Sequence, residues 1–144
     1  MAQTYPRSPK IMLGGMAHLA RLIDKIRLRH GGQIQDYNYF TVGFDKYLLD
    51  LLQIKGDELE KRALEGGTDE ELLAWVRAHG RPLTEDELRQ WNDRILTGGP
   101  KDDAGRQRFQ NRLAEVAAKR GVPVEQLPLV TTWADVIELD EGRL

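Results

Sequence analysis

The chain has 144 residues, 21 lysines and arginines against 23 acids for a net charge of −2, and no cysteine. That length fits one domain that buries roughly two-thirds of its unfolded surface without a staple. The lack of cysteine excludes disulfide frameworks, thiol nucleophiles and Cys-built zinc sites. Interspersed charge argues against a dedicated nucleic-acid binder, and no run approaches the roughly 20 apolar residues of a membrane helix.

Residues 1–12 read as an N-terminal arm, polar at first with Pro6 and Pro9 and without the apolar core of a signal peptide, so the expected location is cytoplasmic. The spacing then predicts a first helix from about Gly15 to His30, with Met16, Leu19, Leu22, Ile23 and Ile26 on one face. His18, Arg21, Lys25 and Arg29 edge that face as a cationic seam. The stretch Asp36 to Val42 is aromatic and β-branched. It reads as an extended connection near residues 37–42, with a short strand against Leu127 to Thr131 as the option.

A second helix is expected on Phe44, Tyr47, Leu48, Leu51 and Leu52, and a third after Asp57. Thr68 with Glu71 and Thr84 with Glu87 form capping boxes that open a fourth and a fifth. Leu72, Trp75, Val76 and His79 align on the fourth, and Leu88, Trp91 and Ile95 on the fifth. Phe109, Leu113, Val116 and Ala117 mark a long sixth helix ending near Gly121, and Trp133, Val136 and Ile137 a last short one. Gly31-Gly32, Gly66-Gly67 and Gly98-Gly99 punctuate helix ends. The expected fold is all-α: a single domain over residues 1–144, a bundle of about six or seven short helices crossing steeply, with residues 122–144 packed on the core as a tail.

Arg7-Ser8-Pro9, Leu13-Gly14-Gly15, His18-Leu19, Arg21 and Ile23-Asp24-Lys25 together resemble the opening signature of a bacterial family of unknown function, DUF5069. Thr68-Asp69-Glu70-Glu71 with Trp75, and Trp91-Asn92, are similar to that family in type and order. The resemblance spans residues 5 to 97 and leaves the tail from about Pro100 unmatched. It implies a small cytoplasmic protein and supplies no activity. Where the family reads His-Leu-Pro-Arg this chain has Ala20, which leaves the first helix unbroken and the charged positions in place.

Candidate chemistry centres on that opening. Gly14 and Gly15 at a helix start would let an anion approach backbone N–H groups, Arg21 would grip an oxyanion, Lys25 would add a point charge, and Arg7 would fold back from the arm. Asn92 would orient a ligand or satisfy a buried backbone group. The competing reading makes these residues amphipathic cover, with Arg21 and Lys25 solvated or paired with Asp24 and other acids and His18 capping or packing at the helix entry. Ser8, the only serine, reads as part of a turn with Pro9. His18, His30 and His79 lack metal-ligand spacing, so no metal and no cofactor is expected. Two functions stay open. One is a non-enzymatic helical module that binds a small anionic ligand or a protein partner, a second copy included. The other is a small enzyme for a phosphorylated or carboxylated metabolite, with His18 as general acid or base.

Overall fold

The computed structural model describes residues 4–144. Among them the chain forms a hairpin of β1 (Met12–Leu13) and β2 (Met16–Ala17) and seven helices. These are α1 (Leu19–His30), α2 (Gly43–Leu52), α3 (Gly56–Leu64), α4 (Asp69–His79), α5 (Glu85–Thr97), α6 (Asp103–Arg120) and α7 (Trp133–Asp140). The chain is predominantly helical, as its apolar spacing predicts. No helix of the described residues is long and apolar enough to cross a membrane. The chain divides into two compact units, one ending at Asn92 and one from Asp93 to Leu144.

In the first unit α1 packs on α3 and on β1, and α3 on α4. Leu19, Leu22, Ile23 and Ile26 of α1 are fully buried, as are Leu48, Leu59 and Leu72 of the next three helices. Burial of each such side chain contributes roughly 1.5–3 kcal/mol. Thr68 and Thr84 accept from the backbone N–H of Glu71 and Glu87, so both expected N-caps are formed. In the second unit α6 packs on α7. Phe109, Leu113, Val116, Val130, Val136 and Leu139 form its core, flanked by Leu127 and Trp133.

Three details differ from the sequence reading. Gly14 and Gly15 do not open the first helix. With φ of 61° and 74° they make the two-residue turn of the hairpin, pairing Leu13 with Met16 and Met12 with Ala17, the geometry that a type I′ turn demands. A Cβ on Gly14 would also lie 2.6 Å from the methyls of Leu73, so both conformation and space require glycine there. Residues 37–42 and 127–131 form no strand; the first of these segments is irregular backbone with bends. On α2 the buried stripe is Asp45, Leu48, Leu49 and Leu52, while Tyr47 is exposed and Phe44 and Leu51 are half-buried.

Candidate functional site

The hairpin delivers His18 to the start of α1. His18 N–H donates to the carbonyl of Pro9 at 3.0 Å, and φ at His18 is 73°. A left-handed conformation at a non-glycine residue costs roughly 1–2 kcal/mol, and such strain concentrates where structure over-determines a side chain's position. The clamp is visible. Trp91 Nε1 donates to the Ala17 carbonyl at 2.9 Å, Asn92 Oδ1 accepts from Ala17 N–H at 2.9 Å, and Asn92 Nδ2 donates to the Gly15 carbonyl at 2.8 Å. Asn92 therefore serves the backbone of the hairpin, one of the two roles its position allowed.

His18, Arg21, Lys25 and Asp45 are 2%, 4%, 6% and 1% exposed. The solvated version of the seam is excluded by that burial: the cations lie inside, and their carboxylate comes from α2. His18 Nε2 lies 2.6 Å from Asp45 Oδ1, and Lys25 Nζ donates to Asp45 Oδ2 at 2.8 Å. The backbone N–H of Phe40 donates to the same Oδ2 at 3.3 Å. Burial would push the Asp45 carboxyl up, but the hydrogen bond from His18 and the charge of Lys25 outweigh it and hold the group at about 2. Burial pushes His18 down against the pull of Asp45, and Lys25 and Arg21 add to the depression. Asp45 is thus ionised and the imidazole neutral, with its proton on Nε2 facing the carboxylate.

That tautomer leaves Nδ1 as a lone-pair acceptor. It is the one buried side-chain nitrogen or oxygen among the described residues that has no hydrogen-bond partner. Ser8 does not supply one. Its hydroxyl accepts from Lys10 N–H at 3.1 Å within a turn closed by Ile11 N–H on the Ser8 carbonyl. The rings of Phe44 and His18 meet in a T-shaped contact, centroids 5.5 Å apart.

Arg7 does fold back onto α1, and its guanidinium is occupied there. Nε and Nη2 donate to Asp24, and Nη1 and Nη2 to Asp69, at 2.6 to 3.1 Å. These two carboxylates raise its already high pKa. Arg21 Nη1 donates to the Arg7 carbonyl at 3.2 Å, and its guanidinium lies 5.8 Å from the centroid of Tyr37. The structure thus brings His18 and Lys25 onto Asp45, with Arg21 near enough to depress His18 and bonded to the carbonyl of Arg7. Gly14, Gly15 and Asn92 act on the hairpin that aims His18. The other two histidines lie apart: His30 is 3.3 Å from Glu60, and His79 stacks on Trp75 with its Nδ1 on the Trp75 carbonyl.

The geometry defines a small, predominantly helical protein that buries a polar cluster of opposite charges at the start of its first helix. The sequence profile of a domain of unknown function, DUF5069, matches residues 3–143, and the chain belongs to that family. The match runs through the tail that the resemblance left out. No curated protein matches the chain.

Proposed function

We propose that this is a cytoplasmic, non-enzymatic binding protein whose ligand is a small anionic molecule carrying a protic group. The ligand donates that group's hydrogen to His18 Nδ1 and sets its anionic end toward Arg21. The observation that supports this reading is the unpartnered Nδ1, because a buried acceptor without a donor forfeits roughly 1–3 kcal/mol that a donor would restore. Arg21 supplies a planar donor fork suited to a carboxylate or phosphate. Lys25 and Asp45 hold the imidazole in its accepting tautomer.

The test is a thermal-shift screen of phosphorylated metabolites, carboxylates and nucleotides on the native protein, on Arg21→Ala and on His18→Gln, with the Nδ1 resonance of 15N-labelled histidine followed for any hit. A ligand at about a hundred times its Kd should stabilise the native protein by about 2.7 kcal/mol, move the Nδ1 resonance, and lose its effect in both variants. If no compound moves either signal, the seam is structural and the reading fails.

The 2.6 Å Asp45–His18 contact favours a second reading, a small enzyme, because a carboxylate that fixes a neutral imidazole with a free lone pair is the arrangement of a general base and its orienting group. Conversion of a bound hit, abolished in His18→Gln, would select it.

A further inference from the structure

We infer that residues 33–42, the connection between α1 and α2, are a lid over the His18–Asp45 cluster, latched from outside by Tyr39 on Glu60. This rests on the reading that His18 receives a ligand. With His18 and Asp45 nearly unexposed, a group from solvent reaches Nδ1 only if a covering segment moves. The arm from Thr4 to Lys10 is not that segment, because Arg7 ties it to both Asp24 and Asp69 through four side-chain hydrogen bonds.

The connection has the parts of a lid. It has no regular secondary structure, and Tyr37 N–H to the Ile34 carbonyl and Thr41 N–H to the Tyr39 carbonyl are local bonds that travel with it. Its inner face touches the cluster at two points: Phe40 N–H on Asp45 and the Tyr37 ring on Arg21. If the first contact breaks, Asp45 keeps His18 and Lys25. Positive φ occurs at Ile34 (52°), near its start, and at Phe40 (64°) and Gly43 (67°), near its end. A β-branched residue at such a φ is a true outlier, and the few residues that absorb a backbone change are what a hinge requires.

The outer face carries the latch. Tyr39 Oη donates to Glu60 Oε2 of α3 at 2.6 Å, and the Arg29 guanidinium lies 4.6 Å from the Tyr39 centroid. The ring of Phe40 stacks on that of Tyr39 and lies over Gly56. There an added Cβ would come within 2.8 Å of it, so glycine makes the seat. Half-exposed bonds of this kind break at a small fraction of the cost of global unfolding.

The test needs no ligand. The 144-residue chain is treated with diethylpyrocarbonate, and modification at each histidine is followed by peptide mass mapping, with exposed His79 as internal standard. The lid predicts slow modification of His18 in the native protein. Tyr39→Phe should raise it about fivefold, the worth of one partly exposed hydrogen bond, with the urea midpoint changed far less than the rate. Gly56→Ala, which displaces Phe40 by a different route, should do the same. A His18 rate unchanged in both variants, or one that rises only in step with lost global stability, overturns the lid. Failure of the ligand screen with faster labelling in both variants would sink the binding reading and leave the lid standing.

Discussion

In the unit from Asp93 onward the core cluster is Phe109, Leu113, Val116, Val130, Val136 and Leu139, and Glu141 is the buried charge, bonded to Arg143 at 2.7 Å. The unit ending at Asn92 buries comparable aliphatic residues and adds His18, Arg21, Lys25 and Asp45. An apolar core suffices to hold a helical unit of this kind together. Charges taken out of water cost several kcal/mol each before their pairing returns any of it. The polar cluster is therefore poorly explained as a device for stability. What the cluster does do is fix one imidazole in one tautomer on a strained backbone.

The largest break in that comparison is Asp45→Ala. It leaves the His18 Nε2–H and the Lys25 ammonium without their carboxylate, and removing one partner of a buried charge cluster costs about 3–5 kcal/mol in urea unfolding. The counterpart in the apolar unit is Leu139→Ala, expected at about 2–5 kcal/mol for a fully buried leucine. Equal losses at all pH values for Leu139→Ala, against a strongly pH-dependent loss for Asp45→Ala, would separate the two kinds of core.

The pH dependence sharpens the difference. His18 is held below its ordinary value of 6.5 by burial, so on falling pH the unfolded chain takes up a proton there that the folded chain refuses. The stability of the neutral imidazole is complete above 6.5 and drains as pH falls toward the folded value. Asp45 acts in the same direction lower down: its contribution is complete above the ordinary 3.8 and is lost as pH falls through about 2. Urea midpoints at about pH 8 and about pH 5 should diverge in the native protein and converge in His18→Gln. Parallel behaviour of the two would show that His18 is not buried neutral.

A smaller effect probes the apolar unit alone. Thr132 Oγ1 accepts from Asp135 N–H at 3.1 Å at the start of α7, and Thr132→Ala should cost about 1 kcal/mol, measured by the same unfolding curves.

The helices were legible because their signals are local: capping boxes at Thr68 and Thr84, a glycine at 121, and apolar spacing at three and four residues. The hairpin was legible in principle, since Gly14-Gly15 between Met12-Leu13 and Met16-Ala17 is a two-residue turn signal; the strands are too short to declare themselves by alternation. Three of the four buried residues of the candidate site could be read as well, because His18, Arg21 and Lys25 border the apolar face of one helix. Asp45 could not be reached that way, since its partners lie on another helix and only folding brings the carboxylate to them. Its signal was weak but present. Asp45, Leu48, Leu49 and Leu52 hold i, i+3, i+4 and i+7, and on that stripe a lone acid among leucines has to be paired. Arg7 was expected to reach a ligand and instead meets two carboxylates, Asp69 being 62 residues away.

The finest comparison sets one helix end in each unit side by side. α6 closes with Gly121 N–H on the Ala118 carbonyl and Val122 N–H on the Ala117 carbonyl, and φ at Gly121 is 69°. α2 closes with the same pair of bonds, Gln53 N–H on Asp50 and Ile54 N–H on Leu49, but φ of 55° is carried by a glutamine. Glycine takes this conformation without a Cβ clash, whereas another L-residue meets the following carbonyl at roughly 1–2 kcal/mol. Gln53 is exposed, so Gln53→Gly should stabilise the protein by up to about 1 kcal/mol, part of the gain returning to the looser unfolded chain. Gly121→Ala, where an added Cβ meets nothing within 4 Å, should destabilise by a similar amount through conformation alone. Opposite signs at matching helix ends would show that backbone strain, and not contact, sets the difference. A loss in Gln53→Gly would mean that the glutamine side chain offsets the strain it creates.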